Sequence, residues 1–99
     1  MINQVVLVGR LVKDVEKDGN LAKIVLAVPR SFKNADGIYE TDFIPCTLLG
    51  PVADNVSEYC KRGDIVGIKG RIQSNNGIEL IAEKVTFLSS SQKHTETVE

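Results

Sequence analysis

Hydrophobic and polar positions along this chain alternate in short, β-branched runs separated by turn residues. Asp18-Gly19-Asn20, Asp36-Gly37 and Asn75-Asn76-Gly77 each lie between two such runs, as hairpin turns do. The pattern predicts strands near 2–13, 21–30, 38–49, 64–73 and 77–88. One helix interrupts them. Pro51 suits a first helical position, and Val52, Val56, Tyr59 and Cys60 recur at i, i+4, i+7 and i+8 on one helical face. Lys61 and Arg62 complement the negative end of the helix dipole, and Gly63 suits the position after the C-cap.

Three strands, a helix and two strands is the order of an OB-fold. The expected architecture is therefore mainly all-β: a five-stranded Greek-key barrel with one α-helix between strands three and four. In the third strand Ile44, Cys46 and Leu48 point one way, and Tyr39, Phe43, Thr47 and Leu49 the other. The first set suits a barrel interior, which leaves Phe43 and Leu49 outside, where polar groups are the rule. In the fourth strand Val66, Ile68 and Ile72 are expected inside, with Lys69, Arg71 and Gln73 outside.

Arg30, Phe32 and Lys33 end the second strand. Aromatic rings beside cations on one barrel face are what a platform for single-stranded nucleic acid requires: bases stack on rings at ~1–3 kcal/mol each, and cations neutralise phosphates. The competing reading keeps Phe43 in the core through a shifted register. The first strand is apolar on both faces, with Val5, Leu7 and Leu11 on one and Val6, Val8 and Val12 on the other. A small barrel buries one of them, so another subunit, or else the C-terminal strand or a loop, is expected to cover the second.

Composition narrows the class without naming it. Ninety-nine residues, 42% hydrophobic and 25% charged, make one globular domain. No apolar run approaches the ~18–20 residues of a membrane span, and Met1-Ile2-Asn3-Gln4 does not open like a secretory signal, so a cytoplasmic location is expected. Cys46 and Cys60, in no metal-like spacing, suit a reducing compartment. Twelve basic against thirteen acidic residues give a net charge of −1, which does not announce a nucleic-acid binder.

Candidate chemistry is sparse. The single histidine, His94, lies in a polar stretch, residues 89–99, expected to be a disordered tail. Asp14-Val15-Glu16-Lys17-Asp18-Gly19 resembles the start of a calcium loop, but Val25 occupies the position of the bidentate Glu. Gly67, Gly70 and Gly77 match no phosphate-binding fingerprint. No enzyme, metal or cofactor is expected.

Several stretches resemble the bacterial and phage single-stranded DNA-binding protein family. They are residues 1–11, Ile24-Val25-Leu26-Ala27-Val28, Phe32-Lys33-Asn34, and Thr41-Asp42-Phe43-Ile44-Pro45-Cys46. Ala53, Asn55, Val56, Ser57, Tyr59, Lys61, Arg62 and Gly63 of the helix and Gly70-Arg71-Ile72 follow in the right order. The resemblance covers about residues 1–88, the expected OB-fold domain. It implies a subunit, usually of a homotetramer, that coats single-stranded DNA without sequence preference in replication, recombination and repair. The family's stacking aromatics fall on Phe32 and Phe43, and Lys33 stands where a cation is common.

The chain also departs from the family. Leu49 replaces a third stacking aromatic, Pro51 a cation, and the last hairpin is cut to Ser74-Asn75-Asn76-Gly77. The end, Thr97-Val98-Glu99, lacks the acidic, Phe-tipped tail that recruits other proteins. Weaker, more salt-sensitive binding and fewer partners are thus expected. The residues expected at DNA are Phe32, Phe43, Lys33, Arg30, Leu49, Arg10, Lys69 and Arg71, and those expected between subunits are Ile2, Val6 and Val8. Two further readings stay open: a dimeric OB-fold replication accessory similar to primosomal protein N, acting mainly through protein contacts, and an RNA binder.

Overall fold

A computed structural model describes residues 1–89; residues 90–99, including His94 and most of the expected tail, lie outside them. The elements are β1 (Val5–Leu11), β2 (Glu16–Asp18), β3 (Leu21–Lys33), β4 (Tyr39–Leu49), α1 (Pro51–Tyr59), β5 (Ile65–Ser74) and β6 (Ile78–Ser89). The strands lie in the order β1-β5-β6-β4-β3-β2, and an added β1–β3 pairing closes β1, β5, β6, β4 and β3 into a five-stranded barrel. This is the expected OB-fold. Among the described residues, no helix is long and apolar enough to cross a membrane.

Strand alternation sends one set of side chains inward. Leu11, Ile24, Leu26, Cys46, Leu48, Val66 and Ile68 form the core, which α1 closes with Ala53 and Val56. Burial pushes the Cys46 thiol up to about 11. It does the same for Cys60, helped by the nearby charge of Asp64. Both therefore behave as small hydrophobes rather than nucleophiles at neutral pH.

Four local expectations need correction. β1 is shorter than 2–13 at both ends, and a short strand that the pattern does not predict, β2, follows it and pairs with β3 through Glu16–Lys23 to Asp18–Leu21. The helix ends at Tyr59 with Cys60 in extended conformation, so Gly63 is not its cap. Gly63 instead lies in the turn entering β5, where its N–H donates to the Leu11 carbonyl. Ser89 ends β6 rather than starting a tail. Ile72 is exposed because β5 and β6 run on as a ribbon to Ser74 and Ile78.

Gly70 sits where β5 and β6 change register, between the Lys69–Lys84 and Gly70–Ala82 pairs. A Cβ there would strike the Ile81 backbone carbonyl, which cannot swing aside as a side chain can. Gly70→Ala is therefore expected to destabilise the barrel by about 1–3 kcal/mol or more. Followed by circular dichroism, the melting temperature should drop by roughly 5–20 °C; an unchanged value would mean the bulge opens freely.

Candidate nucleic-acid interface

The barrel core fixes which side of β4 faces solvent. Phe43 lies opposite Ala27 of β3, and Ala27 lies opposite Arg10 of β1. Directly opposed residues share a sheet face, so Arg10, Ala27 and Phe43 form one row across three strands. At strand spacing the outer two backbones stand about 10 Å apart, with only the Ala27 methyl between them. The Phe43 ring is 64% exposed. Arg10 donates from Nη1 to the Gly63 carbonyl at 2.8 Å, which steers its guanidinium toward the β5 end of the row.

Farther along the same face Lys33 pairs with Tyr39, its Nζ 5.7 Å from the ring centroid. That is cation–π range. Tyr39 is itself half exposed and so adds a ring to the Phe43 side of the β3–β4 ribbon. Leu49, 46% exposed, lies six residues beyond Phe43 on β4, about 20 Å away along the strand.

Phe32 is also 64% exposed, but its backbone setting differs. The β3–β4 register shifts between Pro29–Thr41 and Lys33–Tyr39, so residues 30–32 stand opposite Glu40 alone. Pro29, which has no N–H to give the ladder, opens this bulge.

Arg30 is not beside Phe43. Its guanidinium meets Asp42 side-on, with Nε 3.2 Å from Oδ2 and Nη2 2.9 Å from Oδ1, while Nη1 reaches Glu40 at 2.9 Å. Asp42 pairs with Val28, which packs against the core, so this cluster lies on the ribbon face opposite Phe43. The hydrogen bond and charge of Arg30 hold the Asp42 carboxyl below its ordinary range, and Asp42 and Glu40 in turn raise Arg30.

Arg71 is likewise occupied. It donates to Glu83 at 3.1 Å and Gln73 at 2.7 Å, and its row continues through Ile81 to Thr47. Ile81 and Thr47 are buried although they lie on the outer sheet face. Thr47 donates to Glu79, whose carboxyl is held low by hydrogen bonds from Asn75, Gln73 and Thr47. A polar seam thus seals this wall and takes up Arg71.

Val6 and Val8 project outward from β1, 65% and 53% exposed, and Ile2 precedes them, also exposed. Leu88 and Val8 both pack over the bare backbone of Gly67, which extends the apolar patch toward β6. Lys69 lies directly opposite Val6, so it borders this patch and not the Phe43 row. Of the five cations expected at DNA, Arg10, Lys33 and Lys69 carry no ion pair among the described residues, whereas Arg30 and Arg71 do.

This arrangement matches known proteins over nearly its whole length. Residues 2–88 fit the model of the Single-strand binding protein family. The chain belongs to that family. It is 42% identical to single-stranded DNA-binding protein B of Bacillus subtilis, over 89% of this chain and 91% of that one. It is 48% identical to single-stranded DNA-binding protein 1 of Streptococcus pyogenes, over 77% of this chain and 62% of the relative. The fold resembles the mitochondrial single-stranded DNA binding protein of S. cerevisiae, with a TM-score of 0.72 at 20% identity over 91% and 99% of the two chains.

Residue reasoning missed two features of this surface. Tyr39 belongs beside Lys33, which the turn at Asp36-Gly37 implies once the hairpin is counted back from it. Asp42 shares strand parity with Ile44, so an acid there needs a cation on the same face, and Arg30 supplies it. Because Arg30 lowers the folded-state pKa, the pair stabilises the fold above the ordinary aspartate range near 3.9 and is lost as pH falls through the lowered value. In a carboxyl-carbon NMR titration Asp42 should therefore titrate below its ordinary value and return to it in Arg30→Ala.

Proposed function

We propose that this chain binds single-stranded DNA without sequence preference, stacking bases on Phe32 and Phe43 and setting phosphates against Arg10 and Lys33. The observation that carries this reading is the exposure of both phenyl rings on one β-ribbon, with Arg10 on the Phe43 row. A soluble barrel gains nothing for its own stability from two rings left in water, whereas unpaired bases have apolar faces that seek such partners. The names of the relatives are consistent with it. Coating of exposed strands during replication, recombination and repair in the bacterial cytoplasm is the role this chemistry suits.

Tests at the rings are direct. Phe32→Ala and Phe43→Ala should each weaken binding to a short oligo-dT by ~1–3 kcal/mol, read by fluorescence anisotropy. Leu49→Phe should tighten it, because a ring would replace an aliphatic side chain on the same exposed face. Unchanged affinity in both alanine variants would refute the stacking platform.

Salt dependence reports which cations meet phosphate. If Arg10 and Lys33 act and the paired arginines stay paired, two phosphates are neutralised and the slope of log K against log salt is about −1.4. Adding Arg30 and Arg71 would steepen it to roughly −2.8. An oligonucleotide of about eight residues, within the span of one barrel, keeps the measurement to a single protomer.

The apolar patch of Ile2, Val6 and Val8 supports self-association through β1. Light scattering should give a multiple of the 10.8 kDa chain mass, a tetramer on the family expectation, and Val8→Arg should reduce it. A stable dimer with feeble DNA affinity would favour the protein-bridging role instead.

A further inference from the structure

Phe32 stands in a gap of the β-ladder. Between the Pro29–Thr41 and Lys33–Tyr39 pairs the backbone gives it no cross-strand register. Yet a base-stacking ring needs a fixed direction, since stacking depends on how two planes meet.

Side chains span the gap. Two residues before Phe32, Arg30 donates from Nη1 to Glu40 Oε1 at 2.9 Å. Two residues after it, Asn34 donates from Nδ2 to Glu40 Oε2, also at 2.9 Å. Each carboxylate oxygen of Glu40 therefore holds one shoulder of the bulge. Neither shoulder hangs from Glu40 alone. Arg30 is forked onto Asp42, and the Asn34 side-chain oxygen accepts the N–H groups of Asp36 and Ile38 in the hairpin turn. We propose that Glu40 is a positioning residue for single-stranded DNA binding, acting through Phe32 by clamping both ends of the bulge that carries the ring. This rests on the stacking function of Phe32.

The proposal has an unusual sign. Glu40 is exposed and acidic, and removing a negative charge near a phosphate-binding surface should, on electrostatics alone, tighten binding. A clamp predicts the reverse.

The experiment is a double-mutant cycle on oligo-dT affinity at fixed salt, with Glu40→Ala, Phe32→Ala and their combination, and Phe43→Ala as a second background. Glu40→Ala is expected to weaken binding about three- to tenfold, the scale of coupling between contacting groups. That loss should persist with Phe43→Ala and vanish or reverse with Phe32→Ala. Glu40→Gln, which keeps the size but cannot accept from both shoulders, should give a smaller loss and stands in if the alanine variant does not fold.

Unchanged or tighter binding in the Glu40 variants would overturn the clamp, as would an equal loss in the Phe32→Ala background. If Phe32→Ala alone leaves affinity unchanged, the stacking role falls and the clamp with it. If Phe32→Ala weakens binding while Glu40→Ala does not, the positioning role alone is wrong.

Discussion

Closure of the barrel between β1 and β3 is the constraint on which the rest depends. The two strands meet at Arg10–Ala27 and Leu11–Leu26, and the approach is close enough that a Cβ on Gly9 would lie 2.8 Å from the Ala27 carbonyl oxygen. Once closed, a five-stranded barrel has room inside only for side chains, so alternate residues of every strand are committed to it. Ile44, Cys46 and Leu48 fill it, and Phe43 is left outside by geometry rather than by its own preference. The same closure puts Arg10 on the Phe43 row, because no other arrangement brings β1 beside β3.

Charge is distributed so that it supports shape first. Arg30 and Arg71 are each held by acids on the neighbouring strand, each beside a place where a ladder shifts register. A bulge loses backbone hydrogen bonds, and a forked guanidinium spanning it restores cross-strand attachment through side chains. These pairs are partly solvated, so each adds little stability by itself, but a linked set loses less side-chain entropy per contact than isolated pairs do. The net charge of −1 thus reflects cations assigned to the ribbons as well as to any ligand.

Much of this was legible in the residues because a small barrel obeys a period of two. Strand parity placed Phe43 and the two faces of β1, turn residues located the hairpins, and Pro51 marked where α1 begins. Parity fails where ladders slip. Residues 30–32 form a bulge that alternation cannot anticipate, and the expectation that sets Arg30 beside Phe43 fails there, since its partners lie on the other face of the ribbon. Pro29 was the available signal, being a residue that cannot donate to a ladder and so invites a break. The slip at Lys69–Gly70 is harder to read, since only the close approach of Gly70 to Ile81 reveals it. Thr47 and Ile81 lie on the outer parity yet are buried, because Arg71, Gln73 and Glu79 build a polar cover that no single strand predicts.

The outer surface divides into two territories by strand neighbourhood. β3 and β4 carry the exposed rings of Phe32, Tyr39 and Phe43, while β1 and the end of β6 carry Val6, Val8 and Leu88. Arg10 stands where they meet, because β1 borders both β3 and β5. A subunit seated on Val6 and Val8 would leave the β3–β4 ribbon open while bringing a second chain's surface close to Lys69, the residue opposite Val6. On that geometry assembly and strand binding do not compete for the same face, and Lys69 is the cation whose environment would change on assembly.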